Sequence, residues 1–188
     1  MTATYIGQSE YKERLLDAAA EIIAANGLEG LTAGKLASHV GLRRTVVHYH
    51  FGIMDDLLAA LVSRSSANAR QEVRNRFKPA TLGEDIWNLY SVILPGAEAI
   101  RARAMASKVV GEAYHAASEE LIAMLSGMLL EAYRLRNIEP EIPTDVMART
   151  ILMSAQFVGS QRSLGPSSDI DGVEHFMRSL FAITKASE

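Results

Sequence analysis

LTAGKLASHVGLRRTVVHYHF, residues 31–51, holds two short runs of helix-compatible residues on either side of Gly41. Thr32 is suited to cap the first helix, since its hydroxyl can accept a hydrogen bond from a backbone N–H of the first turn. Gly41 breaks that helix, and the next is predicted from about residue 43 to residue 50. Two short helices joined by a glycine-containing turn are the layout of a helix-turn-helix.

The apolar residues of this stretch have the spacing of a small shared core. Leu36, Val40, Leu42 and Val47 can bury together, and the small side chain of Ala37 lets the two helices approach. The pattern leaves the polar residues at the start of the second helix facing outward.

Charge also singles out this stretch. The chain of 188 residues has a net charge of −3, and residues 1–52 sum to zero. Within 32–51, however, Lys35, Arg43 and Arg44 are accompanied by no acidic residue. A helix that begins with two arginines fits the major groove of DNA, where arginine is suited to guanine edges.

Residues 31–61 resemble the DNA-binding domain of the TetR family of transcriptional regulators. The shared features are the opening threonine, the apolar Leu36 and Ala37, Gly41, the aromatic-rich HYHF and an acid-plus-leucine start to the fourth helix. The resemblance implies a homodimer that binds a palindromic operator through its first three helices. It also implies a variable C-terminal domain that binds a small inducer.

The sequence departs from the family pattern at several contact positions. Arg43 replaces a serine, His48 replaces the usual phosphate-contacting tyrosine, and Met54 replaces a lysine that commonly contacts phosphate. DNA affinity is therefore expected to depend more on the remaining cations. The predicted DNA contacts are Thr32, Lys35, Arg43, Arg44, Thr45, His48 and Tyr49.

Structural roles compete with these functional ones. At least one of Val46 and Val47 must be core, and His50 and Phe51 are expected to pack between helices. Tyr49 could contact the DNA backbone or be a plain exposed aromatic. The two arginines could be ordinary solvated charges, but their place at the head of the helix favours a DNA contact.

A metal site and an active site are both disfavoured. His48 and His50 lie about 200° apart around a helix and cannot chelate one ion together. The chain has no cysteine, which excludes thiolate metal sites and cysteine nucleophiles. No nucleophile-elbow, P-loop or dinucleotide-binding motif occurs, so neither an enzyme nor a cofactor is predicted.

The expected fold class is all-α. A three-helix helix-turn-helix domain at 1–52 is predicted to precede a helical-bundle domain for ligand binding and dimerisation at 53–188. No run of strict alternation indicates a sheet. Beyond residue 52 the predicted helices are about 54–76, 82–94, 97–115, 118–136, 144–163 and 169–184.

The C-terminal domain is assigned dimerisation and effector binding. Apolar stripes on its last two helices could form a four-helix bundle with a second copy, although they could also pack within one monomer. The predicted dimer interface is Ile151, Ala155, Val158, Gly159, Val173, Phe176, Met177, Leu180 and Phe181. The predicted ligand-binding residues, which suit an ordinary core equally well, are Trp87, Tyr90, Met105, Tyr114, Met124, Met128, Met153, Gln156 and Phe157.

The predicted function is a transcriptional repressor that releases double-stranded operator DNA when it binds a small hydrophobic effector. The alternative is a helical small-molecule-binding protein that has lost DNA binding, since the usual tyrosine and lysine are missing. The N-terminus lacks a signal-peptide layout, and the most apolar short run, 121–130, is too short to span a bilayer. A soluble, cytoplasmic protein with no membrane contact is expected.

Overall fold

The computed structural model describes residues 8–76 and 97–164, together with residues 172 and 175. Over 8–76 and 97–164 the chain forms seven α-helices, one 3-10 turn and no strand, so the predicted all-α class is confirmed. The helices are α1 (Gln8–Asn26), α2 (Ala33–His39), α3 (Arg44–Phe51), α4 (Met54–Arg76), α5 (Ala97–Ala106), α6 (Lys108–Leu135) and α7 (Thr144–Leu164), and the 3-10 turn is Leu28–Gly30.

Most of the predicted helices agree with these bounds to within a residue or two. The predicted helix at 82–94 lies outside the described residues, as does the one at 169–184 apart from residues 172 and 175. None of the helices that the structure describes is both long and apolar enough to span a membrane.

One compact unit contains the described residues up to 65 and residues 99–115. In it α1, α2, α3 and the first half of α4 bury their apolar faces against one another. Its core includes Leu15, Ala19, Leu36, Ala37, Val47, Phe51, Leu57, Leu58, Leu61 and Val110. The predicted domain boundary after residue 52 remains a prediction.

A second compact unit contains the end of α4 and the described residues from 116 onward. Here α6 and α7 pack against each other and against Val73 of α4. The buried residues of the two long helices include Leu121, Leu125, Leu129, Tyr133, Met147, Ala148, Ile151, Leu152, Ala155 and Val158.

The predicted helix break between residues 115 and 118 is wrong. The break between the two helices lies instead at Ser107, and α6 runs without interruption through residues 115–118. Ala116 and Ala117 are strong helix formers, whereas the Ser107 hydroxyl accepts a hydrogen bond from the N–H of Val110 at 3.5 Å. Ser107 thereby caps the start of α6, as serine does at many helix N-termini.

Gly111 lies where α5 and α6 meet. A Cβ atom built on this residue would lie 2.7 Å from the carbonyl oxygen of Ala104. Real Cβ atoms essentially never approach backbone that closely, so glycine is the residue that fits this crossing.

Candidate DNA-binding surface

The turn between α2 and α3 forms as its sequence predicts. The Thr32 hydroxyl accepts a hydrogen bond from the N–H of Lys35 at 3.2 Å and caps α2. Gly41 has a φ of +69°, a conformation that glycine adopts at little cost. Beyond it, the N–H of Leu42 donates to the Ala37 carbonyl at 2.8 Å and closes the turn.

Burial divides α3 into two faces. Val47 and Phe51 are buried in the core of the first unit. Val46 is half-buried, so Val47 is the valine that serves as core. These anchors hold α3 against α1, α2 and α4, and they leave the other face of the helix in solvent.

The exposed face carries the predicted DNA contacts. We call Arg43, Arg44, Thr45, His48 and Tyr49 the α3 surface. Arg43 has extended backbone and is the N-cap of α3, so both arginines lie at the beginning of the helix. All seven predicted contacts are exposed, namely Thr32, Lys35, Arg43, Arg44, Thr45, His48 and Tyr49. Their contact with DNA remains a prediction.

The α2–α3 segment keeps its positive charge unneutralised. Among the described residues, no carboxylate lies within 4 Å of a Lys35, Arg43 or Arg44 nitrogen. The Glu21 carboxylate of α1 pairs instead with His39, whose Nε2 lies 2.8 Å from Glu21 Oε2. Three exposed cations without a bound carboxylate make this segment attractive to a polyanion.

The two histidines of α3 have different surroundings, as their helical spacing predicts. His48 Nδ1 lies 2.8 Å from the carbonyl oxygen of Gly52, and its Nε2 lies 3.3 Å from Arg44 Nε. His50 is half-buried, with its ring centroid 6.3 Å from that of Tyr11. The pair therefore does not converge on one point.

The start of α4 has its own stabilising contacts. Gly52 has a φ of +61° and ends α3. The Asp56 carboxylate accepts a hydrogen bond from the N–H of Ile53 at 3.2 Å. Met54, at the position of the family's phosphate-contacting lysine, is half-buried and packs against the core of the first unit. Methionine thus contributes packing here in place of a positive charge.

A bidentate ion pair joins the first turn of α4 to the last turn of α5. The Arg103 guanidinium donates to Asp55 through Nε at 3.0 Å and through Nη2 at 2.7 and 2.8 Å. The Ser107 hydroxyl, followed by the Arg103 guanidinium, lowers the pKa of Asp55 below its usual value, because both favour the charged carboxylate.

The Asp55–Arg103 ion pair predicts how stability depends on pH. Because the pKa of Asp55 is lower in the folded state, its contribution is complete above the unfolded-state pKa of about 3.9. That contribution is lost as the pH falls through the lower folded-state pKa. We expect Asp55→Asn to reduce the melting temperature near neutral pH and the difference from the wild type to shrink at about pH 3.

Thermal unfolding at a series of pH values measures this difference. Glu131→Gln serves as the control, because Glu131 is exposed and its carboxylate forms no ion pair with the residues that the structure describes. A difference for Asp55→Asn that stayed constant at all pH values would assign its effect to packing and not to the ionised carboxylate.

The predicted ligand-binding residues fall into three groups. Met124 and Met128 pack half-buried against the core of the second unit, and Tyr114 and Gln156 are half-buried. Met105, Met153 and Phe157 have exposed fractions of 85, 68 and 52 %. Trp87 and Tyr90 lie outside the described residues. An effector pocket remains a prediction.

The predicted dimer residues are only partly described. Ile151, Ala155 and Val158 are buried by the chain's own side chains in the second unit. Among the α7 side chains that the structure describes, the large exposed apolar ones are Val146, Met153 and Phe157. Gly159 also lies on α7, and the remaining predicted interface residues, Val173, Phe176, Met177, Leu180 and Phe181, lie outside the described part. The dimer interface remains a prediction.

Sequence reasoning missed the contacts that join distant segments. The Arg14 guanidinium donates to the Val40 carbonyl at 3.3 Å and ties α1 to the end of α2. Arg64 of α4 reaches Glu13 and Asp17 of α1 at 3.1 and 2.8 Å. Local spacing carries no signal for these pairs, whose members are 26 or more residues apart. The Arg44–His48 contact is different, because its i, i+4 spacing was visible in the sequence.

These features define a helix-turn-helix protein: a capped α2, a glycine turn, buried anchors on one face of α3 and an exposed basic start to that helix. Residues 15–61 match the model of the bacterial regulatory proteins of the tetR family. The chain therefore carries the N-terminal domain of TetR-family transcriptional regulators, and the resemblance drawn from the sequence is confirmed.

Solved structures of similar fold extend beyond this domain. A TetR transcription regulator from Haloarcula marismortui has a TM-score of 0.75 and 15 % identity, with 93 % of this chain and 98 % of that chain covered. A transcriptional regulator from Rhodococcus sp. has a TM-score of 0.67 and 19 % identity, with 92 and 96 % covered. The multidrug binding protein EbrR, complexed with imidazole, has a TM-score of 0.66 and 18 % identity, with 95 and 92 % covered. No curated protein is significantly similar in sequence.

Proposed function

We propose that this protein is a dimeric transcriptional repressor whose operator binding is relieved by a small, hydrophobic effector. The α3 surface reads the major groove, and the C-terminal helices supply the dimer contact and the effector site. The effector acts by binding more tightly to a conformation that fits the operator poorly, since a ligand with equal affinity for both conformations shifts nothing.

The observation that supports this proposal most directly is the exposed basic start of α3. Arg43 and Arg44 lie at the helix N-terminus, where the backbone N–H groups also favour phosphate. The opposite face of the helix is fixed in the core by Val47 and Phe51. A rigid helix that presents two arginines without a bound carboxylate is suited to a groove lined by phosphates.

Fluorescence anisotropy with the DNA that flanks the protein's own gene tests the first part of the proposal. We expect saturable binding that depends on sequence and weakens as salt increases, because each phosphate contact releases counterions. Binding with no preference over unrelated DNA at low salt would contradict the repressor function. It would favour a helical small-molecule-binding protein that no longer binds an operator.

Arg44→Ala should weaken specific binding by about 1–3 kcal/mol if the side chain contacts a guanine. The loss should be concentrated at one base pair. The variant should therefore bind operators changed at that base pair as tightly as it binds the unchanged operator. Anisotropy titrations against a panel of single-base operator variants measure this. Arg74→Ala removes an exposed arginine of α4 as a matched control. A loss that is equal for all sequences would make Arg44 a phosphate contact.

The effector site is proposed among the C-terminal helices. Met124 and Met128 pack half-buried against the second core, and flexible methionine side chains suit an adaptable apolar pocket. The structurally similar EbrR binds multiple drugs and is complexed with imidazole. A panel of aromatic and aliphatic compounds, with imidazole included, tests the proposal when each is added to the preformed DNA complex. An effector should raise the melting temperature of the free protein and release the DNA.

The dimer is proposed to form through α7 and the apolar stripe of residues 173–181, because a palindromic operator requires two-fold symmetry. Phe176→Arg and Phe181→Arg, in the apolar stripe of the last segment, should yield monomers. Multi-angle light scattering measures the mass in solution. Leu135→Arg, at an exposed residue of α6, should leave the dimer intact. Dimeric Phe176→Arg and Phe181→Arg proteins would place the interface elsewhere.

A further inference from the structure

We propose that His48 is a positioning residue that aims the guanidinium of Arg44 at a guanine, and that it does not contact phosphate itself. This inference rests on the proposed function and assigns a role in operator specificity. It is carried by a short chain of hydrogen bonds along α3, from Arg44 Nε to His48 Nε2 at 3.3 Å and from His48 Nδ1 to the Gly52 carbonyl at 2.8 Å.

The partners of His48 fix its protonation pattern. The Gly52 carbonyl oxygen can only accept, so Nδ1 carries the proton and donates it. The Nε of Arg44 can only donate, so His48 Nε2 is unprotonated and accepts. In this tautomer both nitrogens of the imidazole take part in a hydrogen bond.

The same pattern argues against a phosphate contact. A phosphate oxygen accepts hydrogen bonds and requires a donor. The only N–H of this imidazole is bound to Gly52, so the ring has no second donor to offer. The family tyrosine at this position and His48 therefore act differently, although both lie on the exposed face of α3.

The contact with His48 also decides which edge of Arg44 is available. Nε is held by the imidazole, while the two Nη groups make no hydrogen bond within the described residues. Those groups form the edge that binds O6 and N7 of guanine as a pair. Fixing the guanidinium before DNA arrives reduces the side-chain freedom that binding would otherwise remove.

Gly52, at which this series of hydrogen bonds ends, is itself held in place at the end of α3. The N–H of Gly52 donates to the His48 backbone carbonyl at 2.8 Å, and Gly52 has the left-handed φ that ends α3. Phe51, directly before it, is buried. The orientation of Arg44 is thereby linked through His48 to the rigid end of the helix.

Three substitutions of His48 separate positioning from phosphate contact. His48→Ala should weaken operator binding by about 2- to 12-fold, the net effect of one hydrogen bond, and should reduce discrimination at the base pair that Arg44 reads. His48→Gln should retain discrimination, because a Gln amide also offers one acceptor and a donor group. His48→Lys should strengthen binding to unrelated DNA but lose discrimination, since it adds a cation and removes the acceptor.

The measurements are anisotropy titrations on the operator, on single-base variants and on unrelated DNA at several salt concentrations. His48→Ala should leave the salt dependence unchanged, because no phosphate contact is lost. In a double-mutant cycle, His48→Ala should cost nothing further in an Arg44→Ala background. His39→Ala, at the exposed histidine that binds Glu21, is the matched control and should keep discrimination. Circular dichroism verifies that each variant is folded.

Several results would overturn the positioning role. These are additive effects of the two alanine substitutions, retained discrimination in His48→Lys, or an Nε2-protonated tautomer in long-range ¹H–¹⁵N spectra of the free protein. An unchanged preference in Arg44→Ala would overturn it as well, because Arg44 would then read no base. The proposed function fails by a separate result, the absence of sequence-dependent binding by the wild type.

Discussion

Replacing Leu36 with alanine should lower the free energy of unfolding by about 2–5 kcal/mol. Leu36 is fully buried and packs in the core that α1, α2, α3 and α4 share. Truncation removes its apolar contacts and leaves a cavity between the helices that hold the α3 surface. Urea unfolding followed by circular dichroism measures the loss. Leu135→Ala, at a leucine of α6 that is 64 % exposed, should change the stability little.

Leu36→Ala also separates stability from recognition. Domains of this size are stable by about 5–15 kcal/mol, so most of the variant should remain folded at low temperature. We therefore expect operator affinity close to that of the wild type well below the melting transition. Arg44→Ala should show the opposite behaviour, with normal stability and weak specific binding. A complete loss of binding by folded Leu36→Ala protein would mean that the orientation of α3 depends on this side chain.

Gly111→Ala should be less stable than matched glycine-to-alanine variants by about 1–3 kcal/mol, the cost of overpacking, because the helix-propensity gain of alanine is common to all of them. The new methyl group would lie 2.7 Å from the Ala104 carbonyl oxygen, and backbone cannot move aside as a flexible side chain can. The crossing of α5 and α6 would have to open. Differential scanning calorimetry and urea unfolding measure the cost.

Two glycines of the same chain supply the controls. Gly127 lies on the same helix as Gly111, and Gly34 lies in the same compact unit. At both positions the Cβ of an alanine would have open space, with no neighbouring atom within 4 Å. Their alanine variants should be slightly more stable than the wild type, because alanine reduces the freedom of the unfolded chain. Equal stability of all three variants would contradict the close approach at Gly111.

The helix-turn-helix could be predicted from the sequence because its signals are local. The capping hydroxyl of Thr32 and the amide of Lys35 are three residues apart, and Gly41 sets the turn through its own backbone. Such interactions form within one turn of helix and depend little on the rest of the chain. The outward face of α3 followed in the same way from the apolar period of Val47 and Phe51.

The break between α5 and α6 could not be located by the same reasoning. Ser118 and Ser107 are both serines with helix-forming neighbours, and each could cap a helix. The structure selects Ser107, which binds the carboxylate of Asp55 from another helix and lies next to the close approach at Gly111. Both interactions join residues that are not adjacent in sequence, so no local pattern distinguishes the two serines.

The stripe on α7 shows a related limit. Periodicity marked Ile151, Ala155 and Val158 as apolar positions of one helix, and the structure buries all three within the chain itself. An apolar face indicates only that something covers it. Which helix covers it depends on the course of the chain, since a partner protein and a neighbouring helix remove the same surface from water.

The sequence alone determined the helical class, the capped α2, the glycine turn and the basic start of α3, because each depends on residue type and on spacings within a few turns. The tertiary structure decided what those residues contact. It packed the half-buried Met54 against the core of the first unit, joined Asp55 to Arg103 across 48 residues, and tied Arg64 of α4 to Glu13 and Asp17 of α1. Spacing indicates which residues can meet, whereas packing and hydrogen-bond geometry decide which of them do.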